Sequence, residues 1–358
     1  MSKVIHLVSN RWHSAITEYA ISAAKALNIH GIENELFAKN DSAAFSAMAA
    51  QNLSVSGIPD FGLMNYGKIA TVIKKLDSSS AIICYGGAEF SFAKCCFPMR
   101  KVLRFRGEYP RGLSAKSSTL RALATHISSA TIYPSRFLKA HCGDVSQKSY
   151  VIEIGRDRKI FYPAQANSRG HNERPSVLVL GRFDPVKGHQ KIFEIFSAAM
   201  KLADIERLNP ILKIVGEPKN VSTEQLHSLA RSCKLVEGQD YEIVDQRVSD
   251  IAKIIRESCV GVVPSIGSEL ICRVSHEFSL SGVPIFVSGV GSLQEALFDS
   301  GGSSYLGMTN EIAAKHLAEQ LNLSINEDVS VKSIRAEAAA NRFSLETMGR
   351  ALLRVLQI

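Results

Sequence analysis

Short runs of β-branched and apolar residues recur along this 358-residue chain, and most intervals between them carry the apolar period of a helix. Parallel strands need a long crossover rather than a tight turn, so this alternation predicts parallel sheets wrapped by helices, the doubly wound α/β class. In the front half the pattern predicts strands at Val4–Val8, Asn34–Ala38, Ala81–Cys84, Val102–Phe105, Ala130–Tyr133 and Tyr150–Glu153, with helices clearest at Ser14–Ala26 and Leu120–His126. In the rear half it predicts strands at Val177–Gly181, Leu212–Val215, Tyr241–Val244, Val260–Val263 and Ile285–Val287. Helices are expected there at Gln190–Ala203, Thr223–Cys233, Asp250–Glu257, Cys272–Ser281 and Asn310–Leu321. Between the halves, Tyr162–Pro175 (YPAQANSRGHNERP) is polar, bounded by prolines and aperiodic, and reads as a linker. The chain is longer than one core serves well, so two domains are expected, 1–165 and 175–340. Residues 341–358 form a closing helix, with Leu345, Met348, Leu352, Leu353, Val355 and Leu356 at helical spacing. Two such domains leave a cleft at the carboxyl ends of their strands, where ligands of these sheets bind.

Composition narrows the function classes. No apolar run reaches the roughly 18–20 residues of a membrane span, and MSKVIHLVSNR is too short in its apolar part for a secretion signal. The seven cysteines are scattered without a C-x-x-C pair, which argues against a disulfide framework or zinc site and favours a reducing cytoplasm. The ten histidines lack metal-ligand spacing, and His126 and His276 read as structural. A single Trp argues against a stacking platform for nucleic acid. Charge is uneven: residues 1–165 hold 21 Lys/Arg against 11 Asp/Glu, whereas the remainder is nearly balanced. Between Lys94 and Arg121, eight cations face one acid, Glu108. Such a run is either plain solvated surface or a face for something anionic: a phosphorylated lipid, an anionic glycan or the cytoplasmic leaflet.

Two segments carry candidate chemistry. In residues 262–295, VVPSIGSELICRVSHEFSLSGVPIFVSGVGSLQE, Glu269 and Glu277 stand eight positions apart. Read as one helix, that interval advances about 12 Å and turns to within roughly 80° of its start. Two carboxylates so placed suit hydroxyls at separated points of an extended ligand such as a sugar nucleotide. In residues 177–189, VLVLGRFDPVKGH, a strand ends at Gly181 and the following loop carries Arg182 and Lys187. Both cations would project from the strand's carboxyl end, where they suit a diphosphate; the alternative is a surface loop with two ordinary charges.

Taken in order, VIEIGRDRKIFYP (Val151–Pro163), GRFDPVKG, and the Glu269/Glu277 pair with SGVPIFVSGVGSLQE resemble the GT-B glycosyltransferases of family 4. The likeness is strong over residues 150–300 and thin over the first hundred. It implies two Rossmann-like doubly wound domains facing across a cleft, with the C-terminal helix crossing back to the N-terminal domain. It also implies retaining, metal-independent transfer of a sugar from a nucleotide diphosphate, without a cofactor; no D-x-D triplet occurs. By the same likeness Arg182 and Lys187 clamp the donor diphosphate and Glu269 approaches the transferred sugar. Glu277 binds the ribose hydroxyls, and the Leu270 and Ile271 amides face the diphosphate at a helix start. The base would lie near Gly216–Glu217 and Val244–Arg247.

The chain departs from that pattern in three places. Leu270-Ile271-Cys272 replaces the usual Gly-Phe-Gly, and Arg273 follows, either an added positive charge at the donor or an exposed helix residue. Asn10-Arg11-Trp12-His13-Ser14 replaces a glycine-rich loop; Ser14 suits a helix N-cap, and the amides of His13 and Ser14 could still face the diphosphate. Trp12 is either packing or a platform for an acceptor sugar. Arg106, within VLRFRGEYPRG (102–112), stands where many relatives have a histidine, so no histidine base is expected. Arg104, Arg106 and Glu108 are instead candidates for binding an anionic acceptor.

The resulting expectation is a retaining glycosyltransferase, hexosyl or related, acting on a lipid-linked or polysaccharide acceptor in lipopolysaccharide or other cell-envelope glycan synthesis. It would be cytoplasmic and peripheral on the inner face of the plasma membrane through its basic first domain, with no nucleic-acid partner. The rivals are a sugar-nucleotide epimerase or hydrolase on the same fold, and a non-catalytic nucleotide- or glycan-binding protein.

Overall fold

The computed structural model describes residues 3–76, 79–109, 123–164, 174–246, 248–267, 269–297 and 301–357. The chain forms two compact units, Met1–Gly155 with Arg342–Ile358, and Arg156–Asn341.

The first unit is a seven-stranded parallel sheet, β1 (Val4–Val8), β2 (Asn34–Lys39), β3 (Val55–Ile58), β4 (Ala81–Cys84), β5 (Val102–Phe105), β6 (Ala130–Tyr133) and β7 (Ser149–Val151). Its strand order is β3-β2-β1-β4-β5-β6-β7. Every residue of β1 is buried, and Val4 pairs with Asn34 on one side and Ala81 on the other. A strand covered on both faces must be apolar throughout, which is why VIHLV reads as a continuous run. Its one polar member, His6, hydrogen-bonds Tyr85 Oη and Asn34 Oδ1, each at 2.9 Å. The order reverses between β1 and β4, so the loops after those strands, beginning at Ser9 and Tyr85, flank the switch point.

The second unit is a six-stranded parallel sheet, β8 (Ser176–Leu180), β9 (Ile211–Val215), β10 (Tyr241–Val244), β11 (Val260–Val263), β12 (Ile285–Val287) and β13 (Ser303–Ser304). The order is β10-β9-β8-β11-β12-β13, and the reversal falls between β8 and β11. The loops that open at this switch point are Gly181–Gly188 and Pro264–Cys272, the two segments singled out by sequence. One apolar core, including Phe183, Phe193, Phe196, Tyr241 and Phe286, supports them from below.

The closing helix, Leu345–Leu356, belongs to the first unit and packs on the helix Ala15–Ile29. Gly349 makes this approach possible, because a Cβ there would lie 2.6 Å from Ala26 O and 2.3 Å from the His30 ring. His30 Nε2 donates to Glu346 O (3.0 Å), and Arg342 makes a fork to Glu153 with two 2.6 Å contacts. The units therefore divide at Gly155, ahead of the polar stretch where the sequence put the boundary; residues 165–173 of that stretch lie outside the described residues.

The predicted strands are present within a residue or two. The sequence missed β3, an edge strand with only Ile58 buried, and β13, which has two residues. Among the described residues five helices also escaped it: Ala43–Ala49, Tyr66–Lys74, Gly87–Cys96, Arg136–His141 and Val329–Phe343. Gln190–Ala203 is two helices, His189–Ala199 and Ala203–Leu208, and of Leu120–His126 only residues from 123 onward are described, helical through 127.

Candidate active site

The site of the second unit grows from the loop after β8. Asp184 caps the short helix Pro185–Lys187: its side chain accepts from Val186 N (3.2 Å), and proline takes the first helical position, where no N–H is needed. Asn220 Nδ2 donates to the other Asp184 oxygen (2.8 Å), and Arg182 Nε lies 3.4 Å from it. Gly188 then turns the chain at φ +69°, and a Cβ at that position would meet Pro264 O at 2.0 Å. The turn aims Lys187 at Glu269, and the two form an ion pair.

Glu269 is buried and held from several sides. Ser265 Oγ donates to its Oε1 (2.6 Å), and Ser292 donates to its carbonyl through both backbone N (2.9 Å) and Oγ (3.1 Å). Ser292 belongs to the SGVGSLQE stretch, which thus holds the first carboxylate in place. The helix begins only at Arg273, so Glu269 lies in a loop and the helical spacing drawn from sequence does not apply. Leu270 and Ile271 precede the helix, and among the described residues neither amide donates to a protein acceptor.

Glu277 lies within the helix Arg273–Leu280 and is likewise buried. Arg156 Nη2 reaches its Oε1 at 2.8 Å, and Arg273 Nε stands 3.8 Å from the same atom, one helical turn away. The Arg156 guanidinium also lies over the Phe161 ring, 5.5 Å from its centroid. Arg273 is the first residue of the helix and 38% exposed, as the second of its two readings has it.

Of the expected residues, the structure joins Lys187 to Glu269, and Glu277 to Arg273. Arg182 turns to Asp184 and is more than half exposed. Gly216 follows β9 and donates to Val244 O (3.0 Å), and Glu217 O accepts from Phe183 N (2.8 Å), which ties these loops to each other; Arg247 lies outside the described residues. In the first unit, Ser14 caps the helix Ala15–Ile29 and receives Asn10 Nδ2 (2.5 Å). The His13 ring pairs with Glu18 (2.5 Å), while Trp12 is 75% exposed. Arg104 lies within β5, with Arg106 and Glu108 just beyond the strand.

Sequence reasoning missed Arg156, Asp184, Ser265 and His189. The Asp-Pro step was a legible helix-start signal; nothing local marks Arg156, whose partner is distant in sequence. His189 is 3% exposed, with its ring edge-on to Phe183 at 5.7 Å. Burial, with Lys187 nearby, lowers its pKa to about 4, so its imidazole is neutral. Among the described residues no group of three His, Cys, Asp or Glu is placed to hold a metal.

Residues 174–324 match the family described as glycosyl transferases group 1. The second unit carries a group 1 glycosyltransferase domain. The chain bearing this glycosyltransferase domain is similar in fold to HepE of Anabaena in complex with UDP and glucose (17% identity, all of both chains covered, TM-score 0.74). It is also similar to a glycosyltransferase from Rickettsia africae ESF-5 (18% identity, 99% of this chain and 98% of that one, TM-score 0.81). Sucrose-phosphate synthase from Thermosynechococcus elongatus is a third (16% identity, 100% of this chain and 98% of that one, TM-score 0.72). These likenesses establish the GT-B fold, with its two Rossmann-like units. No curated protein matches the chain by sequence.

Proposed function

We propose that the protein is a retaining glycosyltransferase that takes its sugar from a nucleotide diphosphate and neutralises the leaving diphosphate with side chains rather than a metal. The observation that carries this reading is the Lys187–Glu269 ion pair, which joins the two loops of the second unit's switch point. A lysine held there can meet negative charge that builds on the bridging oxygen as the sugar–phosphate bond breaks. Arg182 adds a forked donor, and the Leu270 and Ile271 amides, at the amino end of an eight-residue helix, add two more. Glu277 grips the ribose and Glu269 the transferred sugar. In the transfer the C1–O bond to phosphate breaks and a C1–O bond to the acceptor forms on the same face. The acceptor's proton passes to the departing phosphate oxygen, so no histidine base is required.

The acceptor in this reading is a lipid-linked or polysaccharide glycan with anionic groups, bound by the first unit at Arg104, Arg106 and Glu108. Its cationic excess supports a cytoplasmic enzyme peripheral to an anionic membrane. Among the described residues no helix is long and apolar enough to cross a membrane. A thermal-shift screen with UDP, GDP, ADP and CMP tests the donor site, since a ligand at ~100 times its Kd adds about 2.7 kcal/mol. Sugar release compared with and without an extracted glycan acceptor then separates transfer from hydrolysis or epimerisation. No response to any nucleotide would overturn the reading.

A further inference from the structure

Arg104 is the third residue of β5, with its guanidinium 5.6 Å from the Phe90 ring centroid. Its Nη1 is shielded from solvent without a hydrogen-bond partner, and among the described residues no carboxylate pairs with it. The residue as a whole keeps part of its surface exposed. The acids nearby are otherwise engaged. Asp144 accepts from Tyr133 Oη (2.6 Å), Ser149 Oγ (2.7 Å) and Ser146 N (2.9 Å). Glu89 accepts from Ser9 N (2.7 Å), and burial pushes its carboxyl towards the protonated form. Between Glu108 and Asp144 the sequence contains no Asp or Glu at all. Two residues beyond Arg104, Arg106 donates from Nη1 to Tyr133 Oη (3.1 Å) and lies over that ring. A guanidinium stays charged at any physiological pH, and burying it without a counter-charge is costly unless something supplies the missing acceptor.

We propose that Arg104, with Arg106 beside it, binds a phosphoryl group carried by the acceptor. This rests on the acceptor reading of the first unit and narrows it from an anion to a phosphate ester. Forked guanidinium donors match tetrahedral phosphate oxygens, and two adjacent cations match a dianion better than a carboxylate. The ester belongs either to a soluble phosphorylated sugar or polyol, or to a lipid headgroup.

The test uses the full-length protein, the variants Arg104→Met and Arg104→Lys, and two probes. Glycerol 3-phosphate is titrated calorimetrically, and co-sedimentation is measured with phosphatidylcholine vesicles with and without phosphatidic acid. Binding of one probe, weakened about tenfold or more in R104M and less in R104K, is the expected result, and whichever probe binds identifies the source. Without ligand, R104M should melt at or above the wild type, because an unpaired buried charge has been removed. A clearly lower melting point would make Arg104 a structural residue and overturn the proposal. Unchanged binding in R104M, no binding of either probe, or equal binding of glucuronate would overturn it too. If R104M does not fold, R104K carries the comparison. UDP is titrated into the same samples: an intact UDP response with no phosphate response counts against this inference alone, whereas a missing UDP response counts against the donor reading.

Discussion

Arg156 reaches Glu277 across 2.8 Å, from the first residue of the second unit to the middle of the helix that carries the candidate ribose grip. Both side chains are largely buried, at 20% and 7% exposure, so the contact is not a surface ion pair of negligible worth. Arg273, at 3.8 Å, shares the same carboxylate oxygen and leaves Glu277 partly compensated when Arg156 is lost. Replacing Arg156 by Met should therefore destabilise the protein by about 2 kcal/mol, below the full cost of stranding a buried charge. The donor KM should rise about tenfold, with kcat changing less, because a binding grip has been loosened. Urea unfolding and steady-state kinetics measure the two effects.

Lys187 should behave differently. If it meets charge that appears only in the transition state, Lys187→Ala lowers kcat by about 100-fold or more. Sugar release from the donor, with and without acceptor, reads this; unchanged rates would remove Lys187 from the mechanism.

Gly188 sets the direction of that lysine. Alanine there must adopt a left-handed conformation and would press its Cβ on Pro264 O. We expect Gly188→Ala to destabilise the protein by about 2 kcal/mol or more, and to lower kcat with it. Urea unfolding beside initial rates checks both.

Acid should weaken the first unit through His6. Burial lowers its pKa from 6.5 to about 4, against a smaller opposing effect of its hydrogen bond to Asn34. The unfolded chain takes up a proton near pH 6.5 while the folded one resists until about pH 4. Stability is therefore complete above pH 6.5 and falls as pH drops through that window, by about 3 kcal/mol in all. In His6→Gln the pH dependence of urea unfolding should be shallower by about one proton; an unaltered slope would contradict this origin.

Much of this arrangement was legible in the sequence because it depends on local pattern. Buried parallel strands announce themselves as apolar runs, and β1, β4, β5, β6, β10, β11 and β12 appear with the predicted bounds. The loops of the rear switch point were found because Arg182, Lys187 and Glu269 cluster after strand ends. What depends on distant partners was not legible. Arg156 lies far along the chain from Glu277, and the orphaned Nη1 of Arg104 is visible only once its neighbours are in place. The helix start at Arg273 was legible only to a residue, and Glu269 fell outside it because Ser265 and Ser292 hold that segment as a loop.

In the proposed mechanism the Lys187–Glu269 loops and Glu277 serve one nucleotide diphosphate. Calorimetric titration of the best nucleotide from the screen, and of its parent nucleoside, into wild type, Lys187→Ala and Glu277→Gln tests it most directly. The account predicts that E277Q weakens nucleotide and nucleoside alike, by about tenfold, whereas K187A weakens the diphosphate and leaves the nucleoside unchanged. Full-strength nucleotide binding in both variants would contradict it.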